Sequence, residues 1–561
     1  MTGWGQDVRF ALRGFRRTPG FAAIAVVTLA LGIGANAAMF GIVDRALLKP
    51  LPYRDPGALV QVIETWNAQR GYGPPSWADF LDWRARAKSF TGLVGWTVGA
   101  GNLVVRGEPE RVRLVESTAN AFDLLGVAPA LGRGFAAGED AAAAPCVAVV
   151  ADPVWRERFG ADPKLVGAPI GLGGLSCTVI GVAPPRFEFP PGVPDAIWIP
   201  LHATKPIFAD RGSHFLSTIG RLRPGVSAAA ASAEIDGIMR AISLAYPDAA
   251  KNRGGRTVPL REWTATNYRP KLLILSAAVG IVLLIACVNV ASMLLARATT
   301  RRRELAIRVA LGAARGRLVR QMLVESALLA AAGGLAGMFV AAAALKLLSR
   351  WTDSYLRAAE ITVDDRTLLF GLVASAGTIL LFGLLPAIRA ARAEASTLHG
   401  EIAGSVRGLE RVRGVLVTAE TALCLVLLSA ALLLTRTLAA LDHSDLGIGT
   451  DHRLTFKLSP SPTAETGAGL DATVYAPLRR RIAELPGVRS VGTINRLPLD
   501  QWGVSGSFLL DGLPPPRDPN EWYAELRVVS PGFFGGFGAG FLQGRDLAEG
   551  DVSGAPLVAV V

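Results

Sequence analysis

The chain has 561 residues, of which 51% are hydrophobic and 19% charged. This length exceeds one ordinary domain, and the apolar excess excludes a simple soluble protein and favours membrane segments among soluble domains. Four cysteines exclude a disulfide framework in a chain of this size, while the formal net charge of +12 would suit a nucleic acid or an anionic lipid.

Five apolar stretches are each about 20 residues or longer, the length a helix needs to cross roughly 30 Å of hydrocarbon. They predict membrane spans at residues 20–43, 272–296, 323–347, 367–388 and 414–436. The first stretch also resembles a signal peptide, because Ala35-Asn36-Ala37 fits a cleavage site. Its apolar run continues to Val43, which favours an uncleaved anchor.

Arginine is concentrated in three segments: the N-terminal tail, the link between the second and third spans, and the link between the fourth and fifth. The positive-inside rule predicts that all three are cytoplasmic, including residues 1–19 and 391–413. Residues 44–270 and 437–561 then lie outside. The predicted fold class is an α-helical transmembrane bundle of five spans with two exterior α/β (α+β) domains.

The first exterior domain carries clear helix and strand signals. Ser76 is predicted to cap a helix, with Asp79 as the acid of a capping box. Ser227 is predicted to cap a second helix that runs to about Tyr246. β-branched runs bounded by Pro and Gly predict strands at residues 147–150, 177–182 and 218–222.

Residues 119–150 and 530–561 form an internal repeat, with the pairs Phe122/Phe533 and Asp140/Asp551 and the endings PCVAVV and PLVAVV. The repeat predicts a tandem duplication of a span followed by an exterior domain. The first copy continues for over a hundred residues, whereas the second stops at the end of the chain. We therefore expect an incomplete second domain at residues 437–561 and a C-terminally truncated chain.

The motifs of catalysis and nucleotide binding are missing from the sequence. No lysine follows a glycine, so there is no P-loop, and there is no H-E-x-x-H, G-x-S-x-G or C-x-x-C. The histidines show no metal-ligand spacing; they are His202, His214, His399, His443 and His452. We expect no catalytic, cofactor or metal residues in this chain, and no enzyme.

Four further side chains stay open to two interpretations. Cys146 and Cys177 could pair in an oxidising compartment, although two small apolar residues in separate strands is the favoured interpretation. Asn289 and Glu420 are polar residues inside predicted spans. Such residues are functional candidates, but bonds between helices, or snorkelling of the carboxylate, explain them equally well.

The link between the second and third spans is the arginine-rich segment of residues 301–320. Glu304 and Arg308 form an i,i+4 pair on a short amphipathic helix that bends at Gly312. Membrane spans hold both of its ends, so we predict contact with headgroups or a cytoplasmic partner and no binding of nucleic acid. The candidate surface is Arg301, Arg302, Arg303, Glu304, Leu305, Ile307, Arg308, Leu311 and Gly312.

At these residues a family resemblance emerges. ARATTRRRELAIRVALGAARGRLVRQMLVESALLA, residues 296–330, resembles the signature of FtsX-like permease domains. DVRFALRGFRRTPGFAAIAVVTLALGIGANAAMFGIVDRALLKPLPYRDP, SWADFLDWRARAKSF and GRLRPGVSAAAASAEIDGI are similar to permeases with a MacB-like periplasmic core domain. The layout resembles duplicated orphan permeases, with a core domain at 44–270, a permease domain at 271–390 and a second core domain at 437–561.

The resemblance implies a permease subunit of an ABC-type export system in the bacterial inner membrane. Its partners would be a separate cytoplasmic ATPase, a periplasmic adaptor or substrate protein, and membrane lipids, with the permease halves in a dimeric arrangement. The spans would pass the motion of the ATPase to the exterior domains, a process called mechanotransmission, with the ATPase on Arg301–Gly312. MacB proteins carry their ATPase in the same chain, and this chain departs from that pattern.

Two other functions share some of these features. An FtsX-like regulator of a cell-envelope enzyme would have the same spans and exterior domains but would move no solute. A receptor or adhesion protein would use two exterior domains, yet it would not need an arginine-rich cytoplasmic helix between closely spaced spans.

Overall fold

The structure is a computed structural model, and it describes the chain except for fifteen segments. These segments are residues 1–2, 67–70, 106, 248–251, 267, 301–314, 352–362, 380–401, 444–451, 459–470, 499–503, 509, 511, 515–521 and 552–553.

The α-helices are α1 (Gly3–Arg17), α2 (Pro19–Val43), α3 (Trp77–Arg86), α4 (Ala121–Leu125), α5 (Asp152–Phe159), α6 (Ala228–Ala245), α7 (Leu260–Thr266), α8 (Arg269–Thr300), α9 (Arg315–Trp351), α10 (Asp365–Thr378), α11 (Ile402–Asp442), α12 (Ala476–Ala483) and α13 (Phe533–Phe537). The strands are β1 (Leu59–Trp66), β2 (Gly71–Gly73), β3 (Phe90–Val105), β4 (Glu108–Ser117), β5 (Leu131–Gly132), β6 (Val147–Val150), β7 (Pro169–Leu172), β8 (Leu175–Val182), β9 (Ala196–Pro200), β10 (Ser217–Leu222), β11 (Arg253–Pro259), β12 (Val504–Ser507) and β13 (Tyr523–Leu526).

One large sheet organises the domain that follows α2. Its strands run in the order β11-β1-β10-β3-β4-β9-β6-β8-β5. β1 pairs antiparallel with β10 and β11, whereas β4 pairs parallel with β9 and β6 pairs parallel with β8. Helices α3 and α6 cover the β1 half of this sheet, with Trp83, Phe80 and Ile235 fully buried between them.

The sequence predicted both of these helices and their caps. The hydroxyl of Ser76 accepts from the backbone N–H of Asp79 at 3.1 Å, and that of Ser227 accepts from Ala230 at 3.2 Å. The capping box itself is different from the prediction. The carboxylate of Asp79 accepts from the Ser76 hydroxyl at 2.6 Å, whereas the Ser76 backbone N–H points to Glu64. The predicted strands at 147–150, 177–182 and 218–222 are confirmed as β6, β8 and β10.

Four of the described helices are long and apolar enough to cross a membrane. Their candidate spans are Pro19–Leu48, Arg269–Leu294, Arg320–Leu348 and Val417–Asp442, in agreement with four of the five predicted spans. The remaining prediction, residues 367–388, begins in α10, and its second half lies outside the described residues.

Helix α2 packs most closely against α9. A Cβ atom at Gly34 would lie 2.7 Å from the carbonyl oxygen of Gly337 and 2.9 Å from Cβ of Val340, so the two backbones meet where side chains are smallest. The amide of Asn36 donates to the carbonyl of Val279 in α8 at 2.9 Å. One turn further along α2, Phe40 stacks on Phe370 of α10 with ring centroids 4.4 Å apart.

Residues 435–561 belong to a second compact unit, together with residues 101–111 and 171–176. Within residues 435–561, helix α12 is followed by the antiparallel hairpin β12–β13, and α13 follows the hairpin.

The internal repeat is visible in the local hydrogen bonds of the two segments. Helices α4 and α13 each end at a left-handed glycine, Gly126 and Gly538. After the first helix Arg133 pairs with Glu139 at 2.7 Å, and after the second Arg545 pairs with Asp551 at 2.7 Å. In both segments the acid also accepts the backbone N–H of an alanine three residues before it.

This register differs from the predicted one by a residue. The structural counterpart of Asp551 is Glu139, so the predicted pair Asp140/Asp551 is wrong, and Phe122 corresponds to Phe534 rather than Phe533. The gap-free comparison missed one extra residue between Glu139 and PCVAVV.

Cys146 and Cys177 form a disulfide, which closes a loop with a sequence separation of 31. The favoured interpretation of two independent apolar residues is therefore wrong. Cys146 directly precedes β6 and Cys177 lies within β8, and the register of this parallel pair places Val147 opposite Thr178. Pairing of the strands thus brings the two sulfurs together, and this long-range contact is not visible in the spacing of the sequence.

Candidate functional site

The end of α2 that leads into the core domain carries a cluster of charged contacts. Here the helix continues as a π-helical turn, Asp44–Leu48, before the chain extends at Lys49. Asp44 is 2% exposed and lies 3.2 Å from the guanidinium of Arg366. A buried carboxylate needs such a partner, because desolvation strongly disfavours an unpaired charge.

Lys49 completes this cluster. Its Nζ donates to the carboxylate of Asp364 at 2.6 Å and lies 3.9 Å from Asp44. Asp364 also caps α10, because its other oxygen accepts the backbone N–H and the hydroxyl of Thr367. The hydrogen bond from Lys49 is the main reason why the pKa of Asp364 falls to about 2.

Two further arginines tie the same turn to the core domain. Arg45 lies 3.5 Å from Glu188, whose backbone carbonyl accepts from the Tyr53 hydroxyl at 2.6 Å. Arg261, on α7, donates to the backbone carbonyls of Leu47 and Leu48. We call the residues Asp44, Lys49, Asp364 and Arg366, with the contacts of Arg45 and Arg261, the membrane–domain junction.

A second polar cluster is buried inside the core domain. Glu64 of β1 accepts from Arg253 of β11 at 2.9 Å, and Asp79 of α3 pairs with Arg211, which also donates to Asp82 at 2.8 Å. Nδ1 of His214 lies 3.2 Å from Glu64, without the geometry of a hydrogen bond. The cluster therefore connects two strands, one helix and the loop before β10.

Burial and charge separate the two carboxyl groups. Burial is the main reason why the pKa of Asp79 is raised to about 6, and the neighbouring charge of Glu64 adds to it. The Ser76 hydroxyl and Arg211 act to lower this pKa but do not outweigh the rise. Burial also acts to raise the pKa of Glu64, but His214 and Arg253 outweigh it, so that this pKa is lowered. Of the two carboxyl groups, Asp79 is therefore the one that is protonated first as the pH falls.

The same three residues could in principle hold a cation, because one ligand atom from each of Glu64, Asp79 and His214 lies within 4.8 Å of the others. All four carboxylate oxygens, however, already face an N–H or O–H donor from Ser76, Arg211 or Arg253. A divalent metal would have to displace both arginines. The donor set fits a hydrogen-bonded cluster better than it fits a metal centre.

The structure leaves most of the predicted site residues untested. The predicted ATPase surface, Arg301 to Gly312, lies outside the described residues. Asn289 is half-buried in α8, and its side chain makes no hydrogen bond to any residue the structure describes. Glu420 is half-buried in α11, three residues after the start of the candidate span at Val417.

Sequence reasoning missed the junction and most of the buried cluster. Lys49 and Asp364 are 315 positions apart, and Glu64 and Arg253 are 189 apart. One weak signal existed: Asp79 was recognised as the acid after a helix cap, and its place in the first turn is confirmed.

Two family models match the chain in sequence. The MacB-like periplasmic core domain matches residues 22–238, which include α2, the junction turn and most of the large sheet. The FtsX-like permease C-terminal domain matches residues 276–395, which include α8, α9 and α10. The chain joins a MacB-like periplasmic core domain to an FtsX-like permease domain. It is a membrane protein with periplasmic domains, and to this extent the fold class expected from the sequence is confirmed.

Curated relatives agree with these two domain matches. The macrolide export ATP-binding/permease protein MacB of Burkholderia thailandensis is 27% identical over 248 residues, which cover 44% of this chain and 36% of the relative. MacB 1 of Aeromonas hydrophila is 30% identical over 235 residues, or 42% of this chain and 35% of the relative. The chain thus spans little more than a third of the length of these relatives.

Solved structures similar to the chain include the periplasmic region of MacB from Actinobacillus actinomycetemcomitans, with 13% identity and a TM-score of 0.29. It covers 37% of this chain and 92% of that one. A domain of a putative permease protein from Porphyromonas gingivalis has 12% identity and a TM-score of 0.30, over 37% of this chain and 91% of that one.

Proposed function

We propose that this chain is the permease subunit of an ABC-type export system that couples a separate cytoplasmic ATPase to movement of its periplasmic domain. Supporting this, the relatives that match it are named as macrolide export ATP-binding/permease proteins. In the proposed topology the N-terminus and the segment around Arg301 are cytoplasmic, and the chain crosses the membrane five times. The substrate class, the adaptor and the pairing of permease halves belong to the same proposal.

The membrane–domain junction is the observation that carries the proposal. A subunit that transmits motion needs a stiff connection between its spans and its exterior domain, and charged contacts here join α2, α10 and the core domain. Asp44 and Lys49 contact the start of α10. Arg45 links the π-helical turn to the core domain, and Arg261 links the same turn to α7, which precedes α8. A shift of one span would therefore reach the sheet without passing through a flexible linker.

The partner ATPase is tested by purification from native membranes in mild detergent, followed by mass spectrometry. We expect a P-loop ATPase to co-purify with the wild-type chain and to be lost from the variant Leu305→Asp, Ile307→Asp. The matched control places the same two charges at Leu454 and Phe456, which are exposed in residues 435–561, and it should retain the ATPase.

The same experiment discriminates the alternative. Recovery of a cell-envelope enzyme without any ATPase would favour an FtsX-like regulator that moves no solute. ATPase association that survives in the Leu305→Asp, Ile307→Asp variant would rule out the predicted coupling surface.

A further inference from the structure

Helix α1 is held against the ends of two membrane helices. Arg297, near the end of α8, donates to the carbonyl of Gly14 at 3.0 Å, and Arg320, near the start of α9, donates to the carboxylate of Asp7 at 2.7 Å. Thr18 separates α1 from α2, and its hydroxyl donates to the backbone carbonyl of Gly14. α1 is therefore placed at the edge of the bundle and not out in solvent.

The surface of α1 is divided into three faces, as successive helical residues turn by about 100°. Asp7, Ala11 and Gly14 form the buried face against the bundle. Beside it lies an apolar flank, on which Trp4 is 60% exposed and Leu12 is 49% exposed. The remaining face, which we call the arginine face, consists of exposed residues only: Arg9, Arg13, Arg16 and Arg17.

Among the residues that the structure describes, no carboxylate pairs with the arginine face. The one acid of α1, Asp7, is buried and paired with Arg320, so four exposed positive charges remain on a helix of 15 residues. Two of them lie in the last turn, where they also complement the helix dipole. Guanidinium groups bind phosphate oxygens in bidentate fashion, and their affinity for an anionic surface adds to that of the apolar flank.

We propose that α1 is an interfacial helix whose arginine face binds the headgroups of anionic phospholipids while Trp4 and Leu12 enter the edge of the hydrocarbon. The apolar flank favours a lipid over a protein as the partner of the arginine face. It adjoins the face that contacts the ends of α8 and α9, so it lies at the depth where those spans leave the membrane. Amphipathic helices with this division of faces lie in the membrane interface.

This role is independent of transport. It places an anionic-lipid contact directly before the first span, so that the leaflet sets the position of α2, which in turn leads to the membrane–domain junction.

The test uses the full chain in nanodiscs, with a fluorophore at Gly5→Cys in a Cys424→Ser background. A side chain at Gly5 meets nothing within 4 Å, and the remaining free cysteine, Cys287, is buried. We expect the fluorophore to be quenched by headgroup spin-labelled lipid in discs containing phosphatidylglycerol, and much less in phosphatidylcholine alone or at high salt. This comparison needs no change to the arginine face.

A second measurement counts phosphatidylglycerol molecules retained on the purified protein by native mass spectrometry. Each arginine near an anionic surface is worth about fivefold in binding, so changing all four of the arginine face to glutamine should remove most of the retained lipid. The matched control changes four exposed arginines of the core domain to glutamine, namely Arg84, Arg86, Arg156 and Arg223, and should retain it.

Equal quenching in both lipids, or unchanged lipid retention in the quadruple variant, would overturn the proposal. A fluorophore that responds only when the purified ATPase is added would assign the arginine face to a protein instead, and would also overturn it.

Discussion

Lys49 and Asp364 form a 2.6 Å ion pair that connects the first residue after the π-helical turn to the N-cap of α10. Lys49 also lies beside Asp44, so one ammonium group joins the end of one span to the start of another. The side chain of Lys49 is 40% exposed. Such a pair contributes only about 1 kcal/mol or less to stability, which makes a role in coupling testable apart from folding.

We expect Asp364→Asn to impair coupling without unfolding the protein. Asparagine still caps α10 but loses the charge that holds Lys49. In a reconstituted complex with the proposed ATPase partner, ATPase binding should be unchanged, while transport or substrate-stimulated ATP hydrolysis should fall several-fold. Asp365→Asn is the matched control, because Asp365 is the exposed neighbour of Asp364. Equal activity in the two variants would remove the junction from the mechanism.

The pH dependence of this pair has a definite sign. The folded-state pKa of Asp364 is lowered from 3.8 to about 2, so the stabilisation is complete above the unfolded pKa and is lost as pH falls from 3.8 through 2. The difference in coupling between wild type and Asp364→Asn should therefore stay constant when pH is varied above about 4.

Asp79 should show the opposite pH dependence. Its folded-state pKa is raised from 3.8 to about 6, so the folded protein binds this proton more tightly than the unfolded chain. The contribution of Asp79 to the free energy of unfolding is then highest below pH 3.8, and it declines by up to about 3 kcal/mol as pH rises through 6. Thermal unfolding, followed by tryptophan fluorescence between these pH values, checks the sign.

Asp79→Asn provides the control for that measurement. The amide cannot ionise, so the decline in stability between pH 3.8 and 6 should disappear, although the variant loses the ion pair with Arg211. If the variant and the wild type change in parallel over this range, another group is responsible.

The features that the sequence predicted are those whose physical cause is local. Spans follow from runs of apolar residues, and the caps at Ser76 and Ser227 follow from one side chain and a backbone N–H three residues on. Long-range contacts were not predicted, because nothing in the sequence around Glu64 or Lys49 indicates which distant residue the sheet or the bundle brings next to it. The internal repeat is an intermediate case. The sequence alone revealed that it exists, but the ion pairs of Glu139 and Asp551 were required to align its two copies correctly.

Gly34→Leu should destabilise the membrane bundle. Even a Cβ atom would approach the carbonyl oxygen of Gly337 to 2.7 Å, so α2 and α9 would have to move apart, at a cost of about 1–3 kcal/mol or more. Gly280→Leu in α8 is the matched control, because a Cβ there meets nothing within 4 Å. We expect a lower thermal-aggregation temperature in detergent for the first variant alone, and equal temperatures would contradict the close crossing of α2 and α9.

The disulfide between Cys146 and Cys177 should stabilise the core domain by restricting its unfolded state. For a sequence separation of 31, loop-closure entropy gives about 3.7 kcal/mol, which corresponds to roughly 10 °C in Tm for a domain of this size. Changing both cysteines to alanine, or adding reductant, should produce this loss. Alanine is chosen because Cys177 is fully buried, and a serine hydroxyl there would add its own desolvation cost.

Treatment with reductant distinguishes the effect of the disulfide bond from the effect of replacing the two cysteine side chains. It should lower the Tm of the wild type and of the Cys424→Ala control, which retains the pair, but leave the double alanine variant unchanged. Because reduction acts only where a disulfide exists, a wild-type Tm that does not respond would mean that the two thiols are not joined in the isolated protein. A response would instead place the core domain in an oxidising compartment during its folding, as expected for a domain on the periplasmic side of the membrane.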